Sequence, residues 1–234
     1  MALLDFFRRR EDGRCEPQPA PPPIQSMDGG KPFDPRRGAK VGTLAFVVGA
    51  SVAVALGQFI PQEESGRTVD ASLNSDGALV TKHIRGRQYL RAYLDAVGVA
   101  TFCDGITRIN GRPVRMNDSA TEEECARLLE KELIAHAGPA IKCTPGIALS
   151  FDPATEKQRE GPRFTAVSLA YNVGVGNWCG STAARRFNAG DYAGGCEAAT
   201  WWNRAGGRVL PGLVTRRGLE RNVCLNGLSA RFNR

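Results

Sequence analysis

The sequence predicts an α+β fold, mainly helical, standing behind one apolar segment long enough to cross a membrane. Three observations carry this: a charge-free run at residues 41–61, amphipathic stretches at helical spacing from residue 121 onward, and a Gly-punctuated region rich in β-branched and aromatic residues between them.

Residues 1–40 include "CEPQPAPPPIQSMDGGKPFDPRRGAK", lack a sustained apolar period and read as a flexible tail. Residues 41–61, "VGTLAFVVGASVAVALGQFIP", can span a hydrocarbon core of about 30 Å as a helix. Lys31, Arg36, Arg37 and Lys40 precede the run, whereas Glu63 and Glu64 follow it and Arg67 is the next positive charge. The positive-inside rule therefore keeps the N-terminus in the cytoplasm and exports the rest, as a single-pass inner-membrane protein with a periplasmic domain. A cleaved signal peptide fits less well, because its apolar part is shorter. The abundance of Gly and Ala (Gly42, Ala45, Gly49, Ala50, Ala53, Ala55, Gly57) makes the hydrophobic gain modest, so the segment can leave a bilayer more readily than a Leu-rich span and be released to the periplasm. Met27 is an alternative start that keeps the basic flank. Residues 62–70 read as a linker and 71–234 as the domain.

In the domain, "DASLNSDGALVTKHIR" is expected to open with a short helix. "YLRAYLDAVGVATFCDGITRINGRPVRM", punctuated by Gly98, Gly105, Asn110-Gly111 and Pro113, suits short strands and a hairpin. Thr121 and Glu124 form a capping box ahead of "CARLLEKELIAHAG". Further helices are expected in "RFTAVSLAYNVG", "STAARRFNAG", "DYAGGCEAATWWNRAGG" and "PGLVTRRGLERNVCL".

A net charge of +7 favours an anionic partner. No nucleic-acid module accompanies it, so an acidic wall polymer is expected rather than nucleic acid. Cys103, Cys125, Cys143, Cys179, Cys196 and Cys224 lie in the C-terminal part, with only Cys15 outside it. Without a C-x-x-C pair, and with His83 and His136 the only histidines, neither a metal site nor a cofactor is expected. Disulfides in an oxidising compartment are, with about fifteen pairings open.

The order and spacing of "AYLDAVGVATFCDGIT", "SLAYNVGVGNWCGSTAARRFNAGDYAGGCEAATWWNRAGGRVLPGLVTRR" and "ERNVCL" resemble the phage-type lysozymes, glycoside hydrolase family 24, across nearly all of residues 71–228. The apolar segment in front adds a likeness to signal-anchor-release endolysins. The resemblance implies a lysozyme-like two-lobed domain, with a small β-sheet lobe against a helical lobe and peptidoglycan between them. It implies a monomeric muramidase that cuts the β-1,4 bond between N-acetylmuramic acid and N-acetylglucosamine for host lysis. The family site has a Glu, an Asp nine residues later and a Thr six residues after that. Asp95 and Thr101 carry over, whereas the Glu position falls on Gly86, or on Arg85 if one inserted residue is allowed. A Glu restored at whichever of the two faces Asp95 is expected to raise hydrolysis.

Neither Arg85 nor Gly86 is an acid at neutral pH, and Asp104 and His83 are the nearest titratable substitutes. The resemblance places Asn172, Gly174, Ser181, Thr182 and Arg217 around the bound glycan, although turn and cap roles explain several of them equally well. Trp201 and Trp202 read as packing residues or sugar platforms. Arg216, Arg217 and Arg221, on one helix, read as a solvated basic face, though an arginine of this helix approaches the catalytic Glu in the family. The alternative function is a catalytically degenerate, membrane-anchored peptidoglycan-binding protein on the same fold.

Overall fold

The computed structural model describes residues 32–95 and 98–230. Residues 1–31 of the expected tail, with Cys15, lie outside them. The anticipated helix over 41–61 is found as two pieces, α1 (Leu44–Val48) and α2 (Ala50–Ser65), broken at Gly49, whose φ of +86° is a left-handed conformation that favours glycine. No helix among the described residues is long and apolar enough to cross a membrane.

The segment lies in the core of the unit that runs from Phe33 onward. Leu44, Val48, Val52, Leu56, Phe59 and Ile60 are at most 1% exposed. Each such side chain contributes about 1.5–3 kcal/mol on burial, so this segment supplies much of the apolar material around which the later helices assemble. Two buried side chains take up backbone groups that α1 leaves unpaired. Glu130 Oε1 accepts from the Leu44 amide at 3.0 Å, and Arg163 Nη1 donates to the Val48 carbonyl at 3.1 Å.

Residues 68–85, expected to open with a short helix, form a hairpin of β1 (Thr68–Leu73) and β2 (Leu79–Arg85). The alternation decides it: Val69, Ala71, Leu79 and Thr81 point inward while Asp70, Val80 and Lys82 point out. Asn74 fixes the turn by accepting from the Asp76 and Ala78 amides at 2.9 and 3.0 Å. The hairpin lies close on α2 because Gly57 has no side chain: a Cβ there would sit 2.6 Å from Leu79 Cδ1.

Three further two-stranded ladders are short. β3 (Tyr93–Leu94) pairs with β4 (Ala100–Thr101), β5 (Arg108–Ile109) pairs with β6 (Arg112–Pro113) across Asn110-Gly111, and β7 (Arg204–Ala205) pairs with β8 (Arg208–Val209). The helices are α3 (Glu122–Cys143), α4 (Pro153–Val173), α5 (Val175–Cys179), α6 (Thr182–Asn188), α7 (Tyr192–Ala199) and α8 (Pro211–Asn226). The Thr121/Glu124 capping box is present at the start of α3. All six domain cysteines are paired, as Cys103–Cys125, Cys143–Cys179 and Cys196–Cys224. These bridges tie the turn after β4 to α3, α3 to α5, and α7 to α8.

Candidate active site

The inner face of α8 organises the site. Arg216, Arg217 and Glu220 fall at i, i+1 and i+4, and all three are buried, with Arg216 4% and Arg217 1% exposed. The expected solvated basic face is therefore held only by Arg221, which is exposed and bonded to Glu197. Charge pairing explains the burial. Glu220 accepts from Ser168 Oγ at 2.6 Å and Arg216 Nε at 3.2 Å, and pairs with Arg217 Nη2 at 3.1 Å. Burial works against the Arg216 charge, but the Glu220 and Glu64 carboxylates outweigh it and the guanidinium holds its proton more tightly than usual. Burial dominates at Arg217 and pulls it below the ordinary arginine range.

Arg216 Nη1 reaches Glu64 Oε1 at 2.7 Å, linking α8 to the last turn of α2. The Glu64 side chain is 23% exposed. A Cβ on Gly105 would lie 3.4 Å from Glu64 Cβ and 3.5 Å from Oε2, so the carboxylate rests beside the bare backbone of the turn that follows β4. Sequence spacing missed this residue, because the only signal for it was a carboxylate placed just beyond an apolar run.

Asp104, one of the two candidate substitute acids, is buried in the same turn. It accepts from Arg67 Nε at 3.1 Å and Nη2 at 2.7 Å, and from Ser65 Oγ at 2.9 Å. These partners make it a structural anion with no face open to a sugar. Tyr171 donates to its carbonyl at 3.4 Å, and burial pushes the Tyr171 phenol far above its ordinary value.

Asp95 sits in the turn between β3 and β4, whose residues 96 and 97 lie outside the described ones. Its amide donates to the Val99 carbonyl at 2.9 Å and its Oδ1 accepts from the Val99 amide at 2.8 Å. Thr101 is buried opposite Tyr93, with its hydroxyl donating to the Val99 carbonyl at 3.1 Å. The Tyr93 phenol is raised by burial first, then by Tyr89, Asp95 and Asp104, so the fields of Asp95 and Asp104 meet on this ring.

The two positions where spacing sought the acid end the β1–β2 hairpin. Arg85 is exposed, pairs in register with Thr68 and donates from Nε to its hydroxyl at 3.2 Å. Gly86 has a φ of +92°, and a Cβ there would meet the Gly66 carbonyl oxygen at 2.6 Å, so it has no room for a side chain. His83 is half-buried opposite Val69 on β2, and its Nδ1 has no hydrogen-bond partner among the described residues.

The residues expected to hold glycan fall into two groups. Asn172, near the end of α4, accepts from Arg217 Nη2 at 3.1 Å, and Gly174 caps that helix. Ser181 caps α6 by accepting from the Ala184 amide, and Thr182 accepts from Arg185. These two line a shallow pocket of about 370 Å³ with Trp201 and Trp202, of which Trp201 is largely exposed. Among the described residues no cluster of His, Cys, Asp and Glu is placed to hold a metal ion.

Residues 82–220 match the family model of phage lysozyme. The SAR-endolysin of Enterobacteria phage PA-2 is 36% identical over 177 residues, covering 76% of this chain and 94% of its own. The SAR-endolysin of Enterobacteria phage P21 matches at the same 36% over 177 residues, with 76% and 94% covered. Among solved structures, the endolysin from Escherichia coli O157:H7 phage FAHEc1 shares the fold with a TM-score of 0.54 at 24% identity, covering 77% of this chain and 94% of that one. With over half its length under one family model and close relatives matched nearly end to end, the chain belongs to the phage lysozyme family.

Proposed function

We propose that this protein is an endolysin-type muramidase, which hydrolyses the β-1,4 bond between N-acetylmuramic acid and N-acetylglucosamine of peptidoglycan and serves host-cell lysis. Membership of the phage lysozyme family carries the reading. The polar face where α2, α4, α8 and the turn after β4 meet supports it. Asp95 is assigned to the attacking water, with Thr101 bracing the same ladder from the adjoining strand. The enzyme works as a monomer without a cofactor.

A signal-anchor route accompanies this reading, supported by the basic flank before residue 41 and by the SAR-endolysin relatives. Residues 41–61 first hold the chain in the inner membrane with its N-terminus in the cytoplasm. The domain then matures in the periplasm, and the released segment packs as α1 and α2.

The test is release of reducing ends from purified peptidoglycan by the full-length chain with its disulfides intact, beside Asp95→Asn. Hydrolysis that depends on Asp95 supports the reading. Glycan binding without turnover in both versions would leave a wall-binding protein on a lysozyme fold, the reading that Arg85 at the family's acid position favours. A reporter fused after residue 70 and active only in the cytoplasm would rule out the topology.

A further inference from the structure

We propose that Glu64, on the last turn of α2, is the general acid of this site, displaced from the position that family spacing assigns to Arg85 or Gly86. The proposal rests on the lysozyme reading above. Arg85 cannot give up a proton at working pH and lies exposed on the hairpin, and Gly86 has no space for a side chain. Asp104 is sealed by Arg67 and Ser65. Glu64 is anchored by Arg216, rests beside the Gly105 turn and is partly open to solvent.

Its anchoring is asymmetric. Arg216 binds Oε1, while Oε2 lies against Gly105, four residues beyond Thr101 along the same turn. Arg216 is itself fixed by Glu220, which Ser168 holds in turn, so the carboxyl is positioned through a chain of buried partners rather than by a mobile surface contact. Arg216 divides its charge between two carboxylates. Glu220 is fully buried, so Glu64 is the member of the pair that a sugar can approach. Ser65, the next residue, bonds Asp104, whose field reaches Tyr93 together with that of Asp95. Glu64 is thereby tied to the turn that follows β4, the strand that carries Thr101 and pairs with Tyr93 of β3, after which Asp95 follows.

The step balances with water alone. The Glu64 carboxyl gives its proton to the glycosidic oxygen as the bond to the anomeric carbon breaks. A water adds to that carbon and loses its proton to the Asp95 carboxylate. Exchange with solvent then returns Glu64 to the acid and Asp95 to the carboxylate. Separation in sequence does not matter to this chemistry. The β1–β2 hairpin is simply carried between the two carboxylates.

The experiment compares wild type, Glu64→Gln, Glu64→Asp and Arg85→Gln as full-length oxidised chains. It measures reducing-end release across pH, retention on insoluble peptidoglycan and thermal unfolding. Glu64→Gln should lose about 10²–10⁴ in rate while still binding peptidoglycan, as expected for loss of a general acid. Glu64→Asp should keep residual turnover with an altered alkaline limb, and Arg85→Gln should remain within about twofold of wild type. Wild-type turnover that survives Glu64→Gln overturns the assignment and leaves the muramidase intact. If Glu64→Gln does not fold, Glu64→Asp decides: an unchanged rate and pH profile overturns the assignment and an altered profile supports it. No turnover by wild type overturns the muramidase reading and Glu64 with it.

Discussion

The guanidinium of Arg163 donates to the carbonyl of Val48 at 3.1 Å, so a fully buried charge on α4 holds the point where the apolar segment breaks. The same side chain pairs with Glu156 at 2.6 and 2.9 Å. Arg163→Met should therefore cost about 3–5 kcal/mol, because it leaves Glu156 buried without its cation. Urea unfolding at neutral pH reads this, and Glu156→Gln added to Arg163→Met should recover part of the loss. A midpoint unmoved by Arg163→Met would count against the pin.

Restoring a glutamate by family spacing should not help this enzyme. Arg85→Glu leaves hydrolysis within about twofold of wild type, because that side chain lies exposed beside Thr68. Gly86→Glu should lower stability by about 1–3 kcal/mol, since its backbone is left-handed and its Cβ meets the Gly66 carbonyl. Reducing-end release and thermal melting separate the two effects. A large gain in activity from either variant would contradict the geometry.

The three disulfides are directly measurable. Alkylation of unfolded, unreduced protein should leave all six domain cysteines unmodified by intact mass, and prior reduction should expose all six. The bridge Cys103–Cys125 closes a separation of 22 residues. Replacing both with Ala should remove about 3 kcal/mol by the loop-entropy relation, seen as a lower urea midpoint.

Asp118 provides a titration prediction. Arg112 holds its carboxylate with hydrogen bonds of 2.7 and 2.9 Å, the Arg115 amide adds a third, and together they keep it down at about 2. A depressed folded value means that its stabilisation is present above the ordinary carboxylate range and is lost as pH falls toward about 2. Carboxyl NMR should show that low midpoint, and Arg112→Gln should raise it. An unshifted midpoint in wild type would refute the pairing.

Features written in neighbouring residues were legible. The Thr121/Glu124 box, the Asn110-Gly111 hairpin and the amphipathic stretches of α3, α4 and α8 each announce themselves within a few residues. The β1–β2 hairpin was harder, since Asp70, Ser72 and Asn74 suit a helix start as well as a strand until α2 covers Ala71 and Leu79. Buried arginines were harder still. Arg216 and Arg217 look like an exposed basic stripe, and of the two carboxylates that hold Arg216 inside, Glu220 is on the same helix but Glu64 lies 152 residues away. Glu64, the proposed acid, escaped a count back from Asp95 because that count allowed at most one inserted residue, whereas the whole β1–β2 hairpin lies between them.

Gly57 sets a limit on how this chain can be changed. A methyl group there would meet Leu79 Cδ1 at 2.6 Å and Ala71 Cβ at 3.2 Å, so the buried Leu79 side chain would have to turn aside. A Leu in its place would favour residence in lipid by lengthening the greasy surface of α2, and would lift the hairpin off the helix in water. On the signal-anchor route proposed above, two solvents would thus read the same position with opposite preferences. A variant selected for firmer membrane retention should drift toward larger residues at 57 and away from a foldable domain, whereas one selected for the domain alone would hold the glycine and tolerate polar changes on the outward side of α2.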